Sequence, residues 1–309
     1  MTSSAVFPAS VMHNETSRQS AIASTLGPLT VKKILSATPV NSATIKILNG
    51  VNSGLSYLPE DKRLVTRLVK SENWFAHYVK KAKNDGSNKV VIYFHGGAFV
   101  SGGYGTHKRL IESIALNSSA SVFAVSYRQF PQVTLFESVQ DCIEAYNEVV
   151  SMGYDPENIT LAGDSAGGAL VVKVTAELIK QGMGASKIVT FSGWFDFSLT
   201  PLQYGELATR EAYLPPSRIS EVARIAVGRD LVDSDSPIFD VTKDFPDALL
   251  ICGSDEALRL DTELMQERYT ELGAKSDTHI FKGCVHAFPI GVGVFPEAKV
   301  AVSLLADFI

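Results

Sequence analysis

From Lys89 onward the sequence alternates short apolar runs with longer amphipathic stretches, and this alternation constrains the fold more than any other feature. Apolar runs of about six residues, such as "VVIYF", "VFAVS" and "KIVTF", are typical of strands that are buried on both faces. The stretches between them have helical length and spacing. Because strands that alternate with helices form a mostly parallel sheet covered on both sides, we predict an α/β fold.

The alternation stops after Trp194 and resumes only with "DALLICG", which begins at Asp247. The sequence between them is helix-like, contains prolines and is rich in aromatic residues. An insertion between two units of a repeating sheet is best explained as a separate layer. We therefore predict a cap that lies over the ends of the strands.

The N-terminal part of the chain is less regular. Its first twenty residues are polar, and we expect them to be poorly ordered. Apolar residues at near-helical spacing over 19–39, interrupted by Gly27-Pro28, predict short, loosely attached helices. The stretch "PEDKRLVTRLVKSE" predicts a helix that begins after Pro59. The next stretch, "NWFAHYVKKA", predicts a strand.

Charge and cysteine content argue against several classes of function. A formal net charge of −5 and a pI near 5.7 provide no basic face for nucleic acid or anionic lipid. The three cysteines are widely spaced and form no C-x-x-C pair, so they predict neither a disulfide framework nor a zinc site. The sequence contains neither a signal-peptide pattern nor an uncharged stretch of bilayer length. We expect a cytoplasmic protein, without a membrane span, that acts on a small molecule.

Ser165 lies in "GDSAGG", which fits the pattern G-x-S-x-G between a predicted strand and a predicted helix. A serine on so sharp a turn needs small neighbours, and Gly163 and Gly167 meet that need. The turn also places the serine at a helix N-terminus, where partial positive charge favours a developing anion. The alternative is that small residues merely let the strand and helix pack closely. We predict that Ser165 is a nucleophile.

A nucleophilic serine requires a base and an acid that orients the base. His286 follows a predicted strand in the loop "KGCVHAFP", whereas His279 lies within that strand, so we predict His286 as the base. The acid is expected directly after "LLICGS", where Asp255 and Glu256 are adjacent. Asp255 is nearer the strand end and is the predicted acid. Asp261 falls within the next helix, where a structural role is expected.

The loop after the first buried strand of the core carries His95, Gly96, Gly97 and Ala98. Two adjacent glycines allow main-chain N–H groups to approach a bound oxyanion. A glycine turn without function is the alternative. The chain order serine, acid, histidine is the order found in α/β-hydrolases.

The motifs "HGGAF", "GDSAGG", "GSDEALRLD" and "CVHAF", in this order, resemble those of the hormone-sensitive-lipase-like carboxylesterases of the α/β-hydrolase superfamily. The resemblance runs from about Asn73 to the end of the chain. It implies an α/β-hydrolase fold with a helical cap and a triad of Ser165, Asp255 and His286. It further implies oxyanion donors at Gly97, Ala98 and Ala166, in a loop supported by His95 and Gly96.

The same resemblance suggests how the chain is divided. An N-terminal cap segment is expected at 1–45, the first part of the core at 46–195, the cap insertion at 196–240 and the second part of the core at 241–309. Two departures from the family pattern stand out. Ala98 replaces the third glycine of the usual HGGG, and "DEAL" stands where relatives have "DPL", which puts the register of the acid in question.

We therefore predict a serine carboxylesterase that hydrolyses short-acyl, acetyl-like esters of a hydrophobic or aromatic small molecule, without metal or organic cofactor. The residues expected to line the substrate site are Phe99, Trp194, Phe195, Tyr204, Tyr213 and Phe288. A receptor that binds a small molecule without turnover remains an alternative, as does an amidase, acyltransferase or lyase with the same triad. A homodimer is possible.

Overall fold

The computed structural model describes residues 10–83, 87–200 and 202–309. The strands are β1 Val11–His13, β2 Leu64–Lys70, β3 Phe75–Lys81, β4 Val90–Phe94, β5 Ser121–Ser126, β6 Ile159–Asp164, β7 Lys187–Phe191, β8 Asp247–Gly253 and β9 Ser276–Phe281.

The helices are α1 Arg18–Leu26, α2 Val31–Ala37, α3 Ser42–Ser56, α4 Tyr104–Asn117, α5 Leu135–Ser151, α6 Ala166–Lys180, α7 Glu206–Arg210, α8 Pro216–Val227, α9 Arg259–Glu271 and α10 Pro296–Phe308. Within the described ranges, none of the helices is both long enough and apolar enough to cross a bilayer.

The nine strands of the described residues form one sheet in the order β1-β9-β8-β7-β6-β4-β5-β3-β2. The pairs from β5 through β4, β6, β7, β8 and β9 to β1 are parallel, whereas β2 and β3 are antiparallel to their neighbours. The prediction of a mostly parallel sheet flanked by helices is confirmed. Because the central strands are parallel, their carboxyl ends meet at one edge of the sheet.

Both faces of the sheet are buried, as the continuous apolar strands predict. Successive side chains of a strand point to opposite faces. In β4, Ile92 and Phe94 belong to a core cluster with residues of α5, α6 and α9. Val91 and Tyr93 belong to a second cluster with residues of α4 and α10. The edge where the strands end is therefore held rigidly from both sides.

The predicted helix after Pro59 is wrong, because residues 64–70 form strand β2. The apolar residues of "LVTRLV" recur at spacings of one and four, which also suits a helix. The structure instead pairs all seven residues of β2 with β3, from Leu64 opposite Lys81 to Lys70 opposite Phe75. Pairing with a neighbouring strand has overridden the local pattern.

Residues 1–9 of the segment predicted to be poorly ordered lie outside the described residues, but the rest of that prediction is wrong. Strand β1 pairs with β9 at the sheet edge, and helix α1 already begins at Arg18. The ring of His13 stacks on Phe281 with centroids 4.0 Å apart, and its Nε2 lies 2.9 Å from Nδ1 of His279. These contacts join residues far apart in the sequence, so local composition does not reveal them.

The N-terminal helices are also tied more firmly than expected. The hydroxyls of Ser17 and Ser20 donate to the carboxylate of Glu297 in α10. The ammonium group of Lys32 donates to the carbonyl oxygens of Ala208 and Glu211 in the segment between β7 and β8. The N-terminal helices thus contact both the core and the helices inserted before β8.

Candidate active site

Ser165 occupies the turn between β6 and α6 in a strained backbone conformation, with φ 51° and ψ −121°. Such a conformation costs on the order of 1–3 kcal/mol, so the surroundings must impose it. The N–H of Ser165 donates to the carbonyl of Phe191, and its carbonyl accepts from the N–H of Trp194. A methyl group at Gly167 would overlap the carbonyl oxygen of Phe94. Only a glycine at 167 lets the helix start this close to the strand.

His286 lies against the serine, as predicted. Its Nε2 is 3.0 Å from Oγ of Ser165, and its Nδ1 is 2.7 Å from Oε2 of Glu256. The carboxylate can only accept, so Nδ1 carries the proton in this contact. The neutral imidazole then presents the lone pair of Nε2 to the serine hydroxyl. All three side chains are buried.

The prediction that Asp255 orients the histidine is wrong, because the adjacent Glu256 makes this contact. The carboxylate of Asp255 instead accepts hydrogen bonds from the hydroxyls of Ser24 and Ser254, both at 2.8 Å. In the turn after β8 the two side chains diverge, and only that of Glu256 faces the histidine. The extra methylene of Glu256 lets it reach His286.

Glu256 is fixed at its second oxygen as well. Its Oε1 accepts from the N–H of Gly253 at 2.7 Å and from the hydroxyl of Ser192 at 2.8 Å. Ser192, which sequence reasoning missed, also accepts from the N–H of Ala287 at 3.0 Å. One hydroxyl therefore links the acid to the loop that carries His286. "FSGW" matches no motif that would have identified this serine.

The sequence did contain a signal for the acid at 256. When the leucine of the relatives' "DPL" is matched to Leu258, the acid falls on Glu256 rather than on Asp255.

Asp261, expected to be structural, lies in the first turn of α9 and accepts hydrogen bonds from the N–H groups of Phe195 and Asp196. Burial raises the pKa of Asp261 to about 8, with partial compensation from these N–H groups.

The surroundings of His286 favour its charged form. Burial by itself would lower the pKa of His286, but the hydrogen bond that its Nδ1–H donates to Glu256 and the negative charges of Glu256, Glu211 and Asp164 outweigh it. The net effect is a pKa above the usual histidine value. The site therefore stabilises an imidazolium, the form that a base takes after it has accepted a proton.

The loop after β4 has the conformation expected of an anion-binding turn. Gly97, Ala98 and Phe99 follow one another at positive φ, with values of 122°, 57° and 61°. Two consecutive non-glycine residues in this region are uncommon and indicate an imposed conformation. Within the described part of the chain, the N–H groups of Gly97, Ala98 and Ala166 donate to no protein acceptor.

Asp164 holds the loop after β4 in place through hydrogen bonds, a role that its position in "GDSAGG" could have suggested. Its Oδ1 accepts from the N–H of Gly96 and from the hydroxyl of Tyr93, both at 2.9 Å, and lies 3.0 Å from Nε2 of His107. Burial opposes charge on both partners. Their mutual attraction and hydrogen bonds nevertheless lower the pKa of Asp164 and raise that of His107. Both shifts favour the charged forms of these two buried side chains.

His95 is held by main-chain and ring contacts. Its carbonyl accepts from the hydroxyl of Tyr127 at 2.7 Å, and the two rings stack with centroids 4.5 Å apart. Its Nδ1 lies 2.8 Å from the carbonyl oxygen of Gly96. Burial, with a smaller contribution from His107, lowers the pKa of His95 to about 4. His95 is thus a neutral structural residue of the loop.

The aromatic residues expected around the substrate fall into different parts of the core. The ring of Phe99 lies 5.9 Å from that of Trp194, next to Ala98. Phe195 and Tyr204 are buried in the same cluster, and Tyr213 is partly buried. Phe288 packs against Phe281 in the cluster on the opposite face of the sheet. Phe99 and Trp194 therefore adjoin the loop and the serine turn most directly.

Comparisons with known proteins agree with this fold. Residues 91–290 match the family model for the alpha/beta hydrolase fold. Esterase LipU of Mycobacterium tuberculosis is 28% identical over 233 residues, which cover 73% of this chain and 78% of the relative. An acetyl-hydrolase of Streptomyces hygroscopicus is 26% identical over 241 residues, covering 76% of this chain and 79% of the relative. A solved esterase of the bacterial hormone-sensitive lipase family has a TM-score of 0.84 at 25% identity, covering 95% of this chain and 98% of the other.

A serine on a strand–helix turn, followed along the chain by an acid and then a histidine that meet at one sheet edge, is the arrangement of the α/β hydrolases. The chain belongs to the alpha/beta hydrolase fold family and, within it, to the hormone-sensitive-lipase-like esterases. It is a carboxylic ester hydrolase.

Proposed function

We propose that this esterase acts through an acyl-enzyme formed on Ser165. The observation that carries the proposal is the chain of contacts from Ser165 Oγ to His286 Nε2, at 3.0 Å, and from His286 Nδ1 to Glu256, at 2.7 Å. His286 removes the hydroxyl proton as Ser165 attacks the ester carbonyl. Glu256 holds the imidazole in the correct tautomer and stabilises the imidazolium.

The negative charge of the tetrahedral intermediate needs donors that are not already used. The N–H groups of Gly97, Ala98 and Ala166 are the proposed donors, since within the described residues none of them is bonded to protein. Removal of one donor from such a site typically costs about 3 kcal/mol of transition-state stabilisation. Their rigid support by Asp164 favours this role, because the donors need not reorganise during the reaction.

The imidazolium of His286 then protonates the leaving alcohol, and the acyl group remains on Ser165. Water enters, gives a proton to His286 and attacks the acyl carbon. The bond between the acyl carbon and Oγ of Ser165 then breaks, and the imidazolium returns its proton to Oγ, which releases the acid and restores the serine. Neither half of this cycle requires a metal or an organic cofactor.

The variant Ser165→Ala tests the nucleophile. It should abolish ester turnover while the circular dichroism spectrum and the melting temperature stay close to those of the wild type. Turnover near the wild-type rate in a folded Ser165→Ala protein would reject the proposal.

We further propose that the substrate is a short-acyl ester, acetyl to butyryl, of a hydrophobic or aromatic alcohol. The methyl group of Ala98 occupies space that a third glycine would leave open beside the acyl carbon. The rings of Phe99 and Trp194, 5.9 Å apart, offer an apolar wall nearby. The similarity to an acetyl-hydrolase supports the same choice.

Rates over p-nitrophenyl esters of increasing acyl length test this preference. The value of kcat/KM should be highest between acetyl and butyryl and should fall for longer chains. A maximum at long chains would contradict the short-acyl proposal while leaving the nucleophile assignment intact.

A further inference from the structure

Glu211 is a fully buried carboxylate that the proposed reaction does not use. It directly follows α7, in the segment inserted between β7 and β8, and its exposed fraction is 0%. A buried carboxylate is costly unless its oxygens are hydrogen-bonded. Its contacts therefore indicate what holds it there.

Both oxygens of Glu211 accept main-chain hydrogen bonds. Oε1 accepts from the N–H groups of Tyr213 at 2.5 Å and Leu214 at 2.9 Å, within the inserted segment. Oε2 accepts from the N–H of Ala257 at 2.7 Å, in the turn after β8. Because Ala257 directly follows Glu256, one carboxylate joins the inserted segment to the turn that carries the acid.

The contacts of the Glu211 side chain suit its ionised form. All three groups that meet its oxygens are donors, and a protonated carboxyl would set its own O–H against one of them. Burial holds the pKa of Glu211 above its ordinary value, with a smaller contribution from Glu256, and His286 and the N–H groups of Ala257 and Tyr213 offset this only in part.

The charge of Glu211 also acts on the histidine. The charged groups that influence His286 come from three elements: Glu256 from the turn after β8, Glu211 from the inserted segment, and Asp164 from the end of β6. Of these, only Glu256 has a hydrogen bond with the imidazole. Glu211 is therefore a second, more distant negative charge that favours the imidazolium.

We propose that Glu211 is a positioning residue for the esterase reaction: it fixes the turn that presents Glu256 to His286 and adds a negative charge that stabilises the imidazolium. This inference rests on the proposed roles of Ser165, His286 and Glu256. It makes the inserted segment a part of the catalytic arrangement rather than only a cover over it.

Two substitutions separate the two effects. Glu211→Gln keeps the size but removes the charge, and its amide N–H₂ must face at least one of the main-chain donors. Glu211→Asp keeps the charge but is one methylene too short to reach both Ala257 and the inserted segment. Glu206→Gln changes an exposed glutamate at the start of α7, the helix that Glu211 follows, and is the matched control.

Steady-state rates are measured on p-nitrophenyl acetate from pH 5 to pH 9 and normalised to active sites titrated with a fluorophosphonate. For Glu211→Gln, kcat per active site should fall between about tenfold and a hundredfold, the range for a displaced catalytic group, with little change in KM. The acidic limb of the rate profile should also move to lower pH. For Glu211→Asp, kcat should fall while the acidic limb stays near the wild-type position. Glu206→Gln should behave as the wild type.

A purely structural role would lower the titratable fraction and the melting temperature but leave kcat per active site and the acidic limb unchanged, and that result would overturn the inference. If Glu211→Gln does not fold, the kcat per active site of Glu211→Asp decides the question. A wild-type protein without turnover would reject the proposed function and this inference with it. An active wild type with unchanged Glu211 variants would reject this inference alone.

Discussion

The carboxylate of Glu256 lies 2.7 Å from Nδ1 of His286, and the adjacent carboxylate of Asp255 points away to Ser24. Two acids that are neighbours in sequence thus have different partners. The first serves the proposed catalytic histidine, and the second ties helix α1 to the core.

This difference predicts unequal effects of two matched substitutions. Glu256→Gln should lower kcat by about three to four orders of magnitude, because the amide favours the wrong tautomer of the histidine and does not stabilise its charge. Asp255→Asn should retain kcat within a few-fold. Rates on p-nitrophenyl acetate check both variants, and a larger loss in Asp255→Asn than in Glu256→Gln would restore the aspartate as the acid.

The raised pKa of His286 predicts the pH dependence of the reaction. The base must be neutral, so kcat/KM should fall as the pH drops through the pKa of His286. Because that pKa lies above the ordinary histidine value of about 6.5, the loss should begin at a higher pH than for an unperturbed histidine. A pH-stat assay avoids the titration of the released nitrophenol. A profile that is flat between pH 5 and pH 8 would contradict a histidine base.

The buried pair of His107 and Asp164 predicts a pH-dependent stability. The raised pKa of His107 means that its contribution is complete below the unfolded value and is lost as the pH rises through the folded value. The lowered pKa of Asp164 means that its contribution is present above its unfolded value. The pair should therefore contribute most in weakly acidic solution. The difference in unfolding free energy between wild type and His107→Gln, measured by urea denaturation, should be larger at pH 6 than at pH 9. Equal differences would show that the pair is not ionised.

Ala98 predicts a change in acyl preference. Its φ of 57° suits glycine better than alanine, so Ala98→Gly relieves backbone strain. Because the unfolded chain gains conformational entropy with a glycine, the two effects offset each other and the stability should stay nearly unchanged. Without the methyl group, the ratio of kcat/KM for hexanoyl to acetyl esters should rise several-fold. A ratio equal to that of the wild type would show that Ala98 does not limit the acyl chain.

The alternation of strands and helices was predictable because it depends on local patterns. The contact between Ser165 and His286 was predictable because it follows from that alternation. The turn at Ser165 needs small residues at fixed positions, and parallel strands bring their carboxyl ends together wherever they lie in the chain. A histidine in the loop after β9 is thus brought to the same edge as a serine after β6.

The choice between Asp255 and Glu256 was not predictable from strand position, because both acids lie in the turn after β8 and the course of that turn decides which of them faces His286. Strands β1 and β2 were also missed. Their residues become strands by pairing with β9 and β3, and local composition contains no record of these partners. Glu211 was missed for a similar reason, since its main partner, Ala257, is 46 residues away.

The most direct test of the account is the site of covalent labelling by a fluorophosphonate. Peptide mass spectrometry of the inactivated wild type should locate one adduct on Ser165, formed in step with the loss of esterase activity and absent in Ser165→Ala. An adduct on another residue, or an esterase that stays active after Ser165 is fully labelled, would contradict it.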